Sequence, residues 1–440
     1  MQRAIAAYFR LPEVSWPTKI SLVLLALFPV GLVYARAVAD ISLTLICVLF
    51  LVESGRTRNW TWLRRPWVAL AFVLWLLIVA GSAHTGPQAS LLQGLASLRL
   101  FLFTAALEAW LLRQETAQRW TTLVLRILAF WLIIQVWQQY FTGQNIWGDG
   151  RWADGALTGP FYKPRAGAVF LMVFFVGLMP WVLELLRRNT TRGALQGTLL
   201  LIFLMVTMIL IGQRMPNMLA LFGMALAALL DQRLRKPALA AFALGVVLLI
   251  SLPVISPPTY TKLIVQLSEQ LSHFAASPYG ELFTRAGVMM EMHPWLGVGF
   301  DGFRNLCADP AYQHGLTAYG IPTVEVFGPE ACNLHPHNYY MQIGSIAGFP
   351  GLILFIGLVV LWIARASRLA ASQAGAQAGM LVVIVCVMLW PAQSTSSFFV
   401  IDTGGWIFLH VGWALALVQR PIDSDRADRA LAGLRSGKPG

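Results

Sequence analysis

The sequence predicts an all-α integral membrane protein, on two features of composition and one of patterning. The hydrophobic fraction is 57% and the charged fraction 12%, against roughly 25% charged in an ordinary soluble domain. Too little polar surface is left to face water. Apolar runs of about 20 residues recur between Lys19 and Gln419, each long enough to cross a hydrocarbon core about 30 Å thick. A backbone in lipid must satisfy its own polar groups, so the runs are helices. Lys and Arg, finally, gather in alternate loops.

About twelve transmembrane helices are expected, centred near residues 27, 46, 75, 102, 130, 176, 204, 223, 246, 353, 384 and 410. Residues 1–18 carry Arg3, Arg10, Pro12 and Pro17 and no apolar stretch of signal length, so no cleavable signal is expected. Of the 32 basic residues, 22 fall on one side, 8 on the other, and Arg99 and Arg126 within spans. The positive-inside rule makes the 22-residue side cytoplasmic, with both termini there. The net charge of +12 is thereby accounted for as topology, and no nucleic-acid partner is expected.

Residues 1–420 read as one polytopic domain and 421–440 as a short cytoplasmic tail, with no internal repeat and no helix interrupted within the membrane. Two outer loops exceed the length of a connector. The first, about 142–165, is rich in Gly and Pro and carries Arg151, Lys163 and Arg165. The second, about 256–338, is too long to be structureless without a function. Within it Leu263, Leu267, Leu271 and Phe274 recur at helical spacing, the pattern of an amphipathic helix on a membrane surface. A second helix is expected over about 279–292. Cys307 and Cys332 share this loop and can form a disulfide if that side is oxidising.

Several motifs can be set aside. Gly297-Val-Gly299-Phe-Asp-Gly302 spells a dinucleotide fingerprint but follows a helix in an outer loop, without the βαβ context it needs. No metal is expected. The first outer loop, Arg36–Asp40, holds a single carboxylate, and Asp149 and Asp154 suit a Gly-rich turn. His335 and His337 lack a third ligand at motif spacing.

The remaining groups are cationic or proton-accepting. Arg214 stands in the tight turn Ile211-Gly-Gln-Arg-Met-Pro216, where it could also snorkel to lipid headgroups. Arg285 follows Glu281 by four residues, the spacing of a plain helical ion pair. Arg99 and Arg126 need partners inside the membrane, and Glu108 or lipid phosphates are the candidates. His337 lies where the long loop re-enters the membrane; its neutral imidazole can accept a proton near pH 7.

His337-Asn338, nine residues, Gly348, two more and Gly351 resemble the His-Asn-x9-Gly-x-x-Gly pattern of the O-antigen ligase and polymerase superfamily. The turn Gly212-Gln-Arg214 is similar to that family's Ser-Arg turn, although Gln213 replaces the small residue. Arg285 through His293-Pro-Trp-Leu-Gly-Val-Gly299 resembles its Arg…Pro-x-x-Gly-x-Gly run. The resemblance implies a GT-C-like fold in the cell inner membrane with a periplasmic active site. It also implies transfer of a glycan from undecaprenyl pyrophosphate to a sugar hydroxyl of lipid A–core, inverting and without a cofactor. In that setting Arg214 and Arg285 would hold the diphosphate, with Arg151, Lys163, Arg165 and Asn338 as further ligands, and His337 would be the base. An O-antigen polymerase, a protein O-oligosaccharyltransferase and a lipid-linked glycan transporter are the competing readings.

Overall fold

The structure, a computed structural model, describes residues 14–85, 88–321, 332–371 and 375–418; the expected tail 421–440 lies outside them. Among the described residues the chain is helical, with no strand. The helices are α1 Trp16–Tyr34, α2 Arg36–Thr57, α3 Pro66–Thr85, α4 Gln88–Ala96, α5 Leu98–Ala109, α6 Glu115–Thr142, α7 Ala166–Arg187, α8 Thr191–Ile211, α9 Arg214–Leu230, α10 Arg235–Ile255, α11 Gln266–Ser272, α12 Pro278–Met292, α13 Tyr339–Ala366, α14 Ala376–Met388 and α15 Ile401–Val418. Among the described residues ten candidate spans, with α4 and α5 together forming one, are long and apolar enough to cross a membrane. The spans expected near 223 and 384 are shorter apolar helices, α9 and α14, of 17 and 13 residues. Helix α15 packs on α5, and α13 on α3, around the fully buried rings of Trp67, Trp362, Trp406 and Trp413.

Intramembrane charged side chains are satisfied by nonlocal contacts. Arg99 does not pair with Glu108, one of its two candidate partners: it grips both carboxylate oxygens of Asp40, at 2.8 and 2.9 Å. Glu108 instead accepts from Trp67 Nε1 at 2.7 Å. Arg126 Nε donates to the Gly177 carbonyl at 3.1 Å, inside a single π-helical stretch, Phe174–Leu178, of α7. Loop contacts sort by side. Ion pairs join Lys262 to Asp154 and both Arg36 and Arg165 to Asp402, while Arg187 pairs with Asp231. Each pair links segments expected on one face.

The expectation of uninterrupted helices fails at α13. Ala347 and Gly348 leave helical geometry, with Gly348 at φ +66°, and the chain resumes as helix beyond them. The carbonyls this break releases are taken by the long loop. Val298 N donates to Ser345 O at 2.7 Å, Gly299 N to Ile346 O at 3.1 Å, and Phe349 N to Pro294 O at 2.8 Å. Backbone lies directly on backbone. A Cβ on Gly297 would stand 2.4 Å from Ser345 O, and one on Gly348 would stand 2.4 Å from Pro294 O. Both glycines also have positive φ, which side chains disfavour. The Gly-rich runs that carried the family resemblance are therefore the two halves of one docking joint.

Candidate active site

His337 sits just before α13, in a left-handed backbone conformation at φ +54°. A non-glycine residue there carries strain of about 1–3 kcal/mol and persists only where its surroundings impose it. The segment before α15 imposes it. Thr395 N donates to His337 O at 2.7 Å, and the Thr395 carbonyl lies 3.0 Å from His337 Nδ1. A carbonyl can only accept, so Nδ1 carries the proton and Nε2 presents its lone pair. Burial pulls the His337 pKa below its ordinary value, opposed by the Thr395 bond. The ring therefore stays neutral near pH 7. Tyr279 and His335 pack against it, with ring centroids 5.7 and 4.5 Å away. Burial, and then His337, press His335 down to about 4.

Asn338 is spent on architecture. Its Oδ1 caps α13, accepting from Tyr340 N at 2.9 Å and Met341 N at 3.2 Å. Its Nδ2 donates to the carbonyls of Pro391 and Gln393 at 2.8 and 3.0 Å. With four bonds made and 5% of its surface exposed, it fixes the chain next to His337 and has no polar atom left for a phosphate in this conformation. The expected ligand role is replaced by this one.

Asn333 reaches the imidazole directly: its Nδ2 lies 2.9 Å from His337 Nε2. The preceding residue, Cys332, is disulfide-bonded to Cys307, with Cα atoms 5.7 Å apart. Arg285 holds this bridge from inside the loop. Its Nη1 contacts Cys332 Sγ at 2.7 Å, Cys307 O at 3.2 Å and Cys307 Sγ at 3.3 Å, while Nη2 lies 3.7 Å from Glu281. The helical ion pair thus exists, and the guanidinium is buried. Glu281 has its pKa raised by burial against the pull of Arg285.

Arg214 begins α9, where the helix dipole adds to its charge in favouring an anion. Its Nη1 donates to Gln270 Oε1 of α11 at 2.7 Å. Lys262 is close enough that Arg214 lowers its pKa, though burial is the larger cause and Asp154 opposes both. Arg214 also lines a cavity of about 550 Å³ bounded by α8, α9, α10 and residues 263–267, which Arg235 lines as well. Its other linings are overwhelmingly apolar: Ile209, Leu221, Phe242 and Leu249 are typical. Leu263 and Leu267 of the expected amphipathic stripe face it, whereas Leu271 and Phe274 remain 65% and 46% exposed.

The other sequence-chosen cations are dispersed. Arg151 donates to Gly155 O at 3.0 Å within its own loop, and its pKa is lowered by burial. Lys163 is exposed. Arg165 is bound to Asp402 at 3.0 Å, a carboxylate it shares with Arg36 at 2.7 Å. Sequence reasoning missed Asn333, Lys262 and Thr395. The first two had the right chemistry but no motif, and Thr395 acts through its main chain, which no side-chain pattern reveals. Among the described residues no three His, Cys, Asp or Glu side chains converge as a metal site would require.

Residues 198–356 match the family model described as O-antigen ligase. That stretch runs from α8 into α13 and contains Arg214, Arg285, Asn333, His337 and the glycines of the docking joint. No curated protein matches the chain.

Proposed function

We propose that this chain, whose residues 198–356 are similar to the O-antigen ligase family, is a lipopolysaccharide O-antigen ligase. It moves a glycan from undecaprenyl pyrophosphate to a sugar hydroxyl of lipid A–core. The reaction takes place on the periplasmic face of the inner membrane. The observation that carries this reading is the imidazole of His337, fixed with Nε2 proton-free beside a loop that re-enters the membrane. A disulfide in the same loop suits an oxidising compartment.

In the proposed reaction the acceptor hydroxyl oxygen attacks the anomeric carbon from the face opposite the diphosphate. Its proton passes to His337 Nε2, worth about 10²–10⁴ in rate. The bond from the anomeric carbon to the phosphate oxygen breaks, and undecaprenyl diphosphate leaves with inversion at the sugar. The Thr395 carbonyl stabilises the imidazolium through Nδ1. Arg214 meets the charge growing on the leaving group, since a guanidinium offers a planar fork to phosphate oxygens and stays charged. Groups fixed in advance where charge develops are usually the largest catalytic contribution. The apolar cavity behind Arg214 suits a polyprenyl chain entering sideways from lipid. Arg285 reaches the diphosphate only by exchanging Glu281 for it, and Asn333 must leave Nε2 for the hydroxyl to approach. Arg151, Lys163 and Arg165 remain with the outer loops, as attractors of anionic substrates.

Deleting the gene and resolving the cell's glycolipids tests the proposal. Long glycan accumulating on the polyprenyl carrier is the expected result. Lipopolysaccharide bearing a single repeat would instead identify a polymerase, and unchanged glycolipids would remove both readings.

A further inference from the structure

A second cavity, of about 450 Å³, is lined by residues of the long loop and of α13. Helix α12 supplies one wall through Phe283, Thr284, Gly287 and Met290, and Met341 and Phe349 of α13 supply another. This size is ordinary for a ligand pocket, about 300–1,000 Å³. Its charge differs from that of the first. Among the described residues Glu291 lines it and no Lys or Arg does, so they offer no cation to a diphosphate.

Its position ties it to the chemistry. Tyr279, whose ring packs on His337, immediately precedes Gly280 in the cavity wall, and Met341 lies four residues beyond the base. Its other end meets the face a membrane would cover. Phe349 is 44% exposed, and Trp295 and Ile353 beside it are 75% and 67% exposed. Trp at such a border is the usual mark of a membrane interface.

We propose that this cavity seats acyl chain of the membrane-anchored acceptor, so that the acceptor's sugar headgroup emerges beside His337. The inference rests on the transferase reading above and adds a second lipid site to it: one cavity with a cation at its mouth for the diphosphate donor, one without for the acceptor's anchor. The segment 263–275 separates them, its first half lining one cavity and its second half the other.

The test uses the full chain in nanodiscs and two photoprobes: an alkyl glucoside with a diazirine at the end of its chain, and a prenyl diphosphate carrying the same group. The glucoside is expected to label peptides spanning 283–290 and 341–349 above the lipid-facing control helix α2, and excess prenyl diphosphate should not displace it. Gly287→Trp fills the cavity and should lower that labelling about tenfold, equivalent to about 1.4 kcal/mol of binding. Leu316→Phe narrows it from the opposite wall should the first variant misfold. Labelling no higher than on α2, displacement by prenyl diphosphate, or indifference to both folded variants would overturn the assignment. Failure of the prenyl diphosphate to label residues 205–249 would count against the donor reading alone.

Discussion

Replacing Asn338 with Ala separates a structural role from a substrate contact. The side chain caps α13 through two amides and ties the chain to two carbonyls of the segment before α15. Loss of a helix N-cap costs about 1 kcal/mol. Each buried carbonyl deprived of its donor adds about 1 kcal/mol at the low end of the usual range. Asn338→Ala should therefore destabilise the protein by about 3 kcal/mol. Asn338→Asp should cost at least as much, because the carboxylate keeps the cap but turns a buried charged oxygen on the two carbonyls of Pro391 and Gln393. Equilibrium unfolding in mixed micelles of rising SDS fraction measures both. Turnover should fall with the loss of His337 alignment, while the KM for the lipid-linked donor stays near wild type. A stability change under about 0.5 kcal/mol with a sharply raised donor KM would refute this reasoning and return Asn338 to the substrate.

Four further outcomes follow from the same geometry. Because burial lowers the His337 pKa, the base is competent above that value; kcat/KM should fall only on the acid side, with its midpoint below the ordinary histidine pKa, and a limb centred above neutrality would sink the base assignment. His335, at about 4 in the folded chain against 6.5 in a free one, gives stability that is complete above pH 6.5 and erodes as pH falls towards 4, readable by thermal unfolding across that window. Arg214→Lys keeps the charge but loses the fork and should cost about tenfold or more in transfer, on the order of 1.5 kcal/mol; unchanged transfer would mean that Arg214 merely snorkels. Asn333→Ala exposes Nε2 and should speed acylation of His337 by diethylpyrocarbonate, followed by peptide mass spectrometry against exposed His273 as the internal standard, and equal rates would show that Asn333 does not cover the base.

The helices were legible because apolar runs and alternating loop charge are local properties of the chain. Legibility ended where pairing is distant. Arg99 announces that it needs a partner, but nothing near it in sequence points to Asp40, 59 residues away. The break in α13 was hidden for another reason. Gly348 inside a long apolar run spells the same whether the helix continues or stops, and the cause lies in loop amides at 298 and 299 that claim its carbonyls. Of the site, His337 and Arg214 stood out through chemistry and motif. The sequence context of Arg285 was read two ways, and the Glu281 pair is the one formed in this conformation. Asn338 drew attention as a phosphate ligand, and its four bonds to main chain could not be read from the sequence, since a cap and a ligand call for the same side chain.

The docking joint between Gly297–Gly299 and the broken turn of α13 has a consequence for how polymers of different size are handled. It is made of peptide groups, so the depth at which His337 meets the bilayer is set by main chain and does not drift with side-chain substitution around it. A glycan of any length or composition can extend into solvent above that plane. In the proposed reaction, what stays constant is the altitude at which its first bond to the carrier is exchanged.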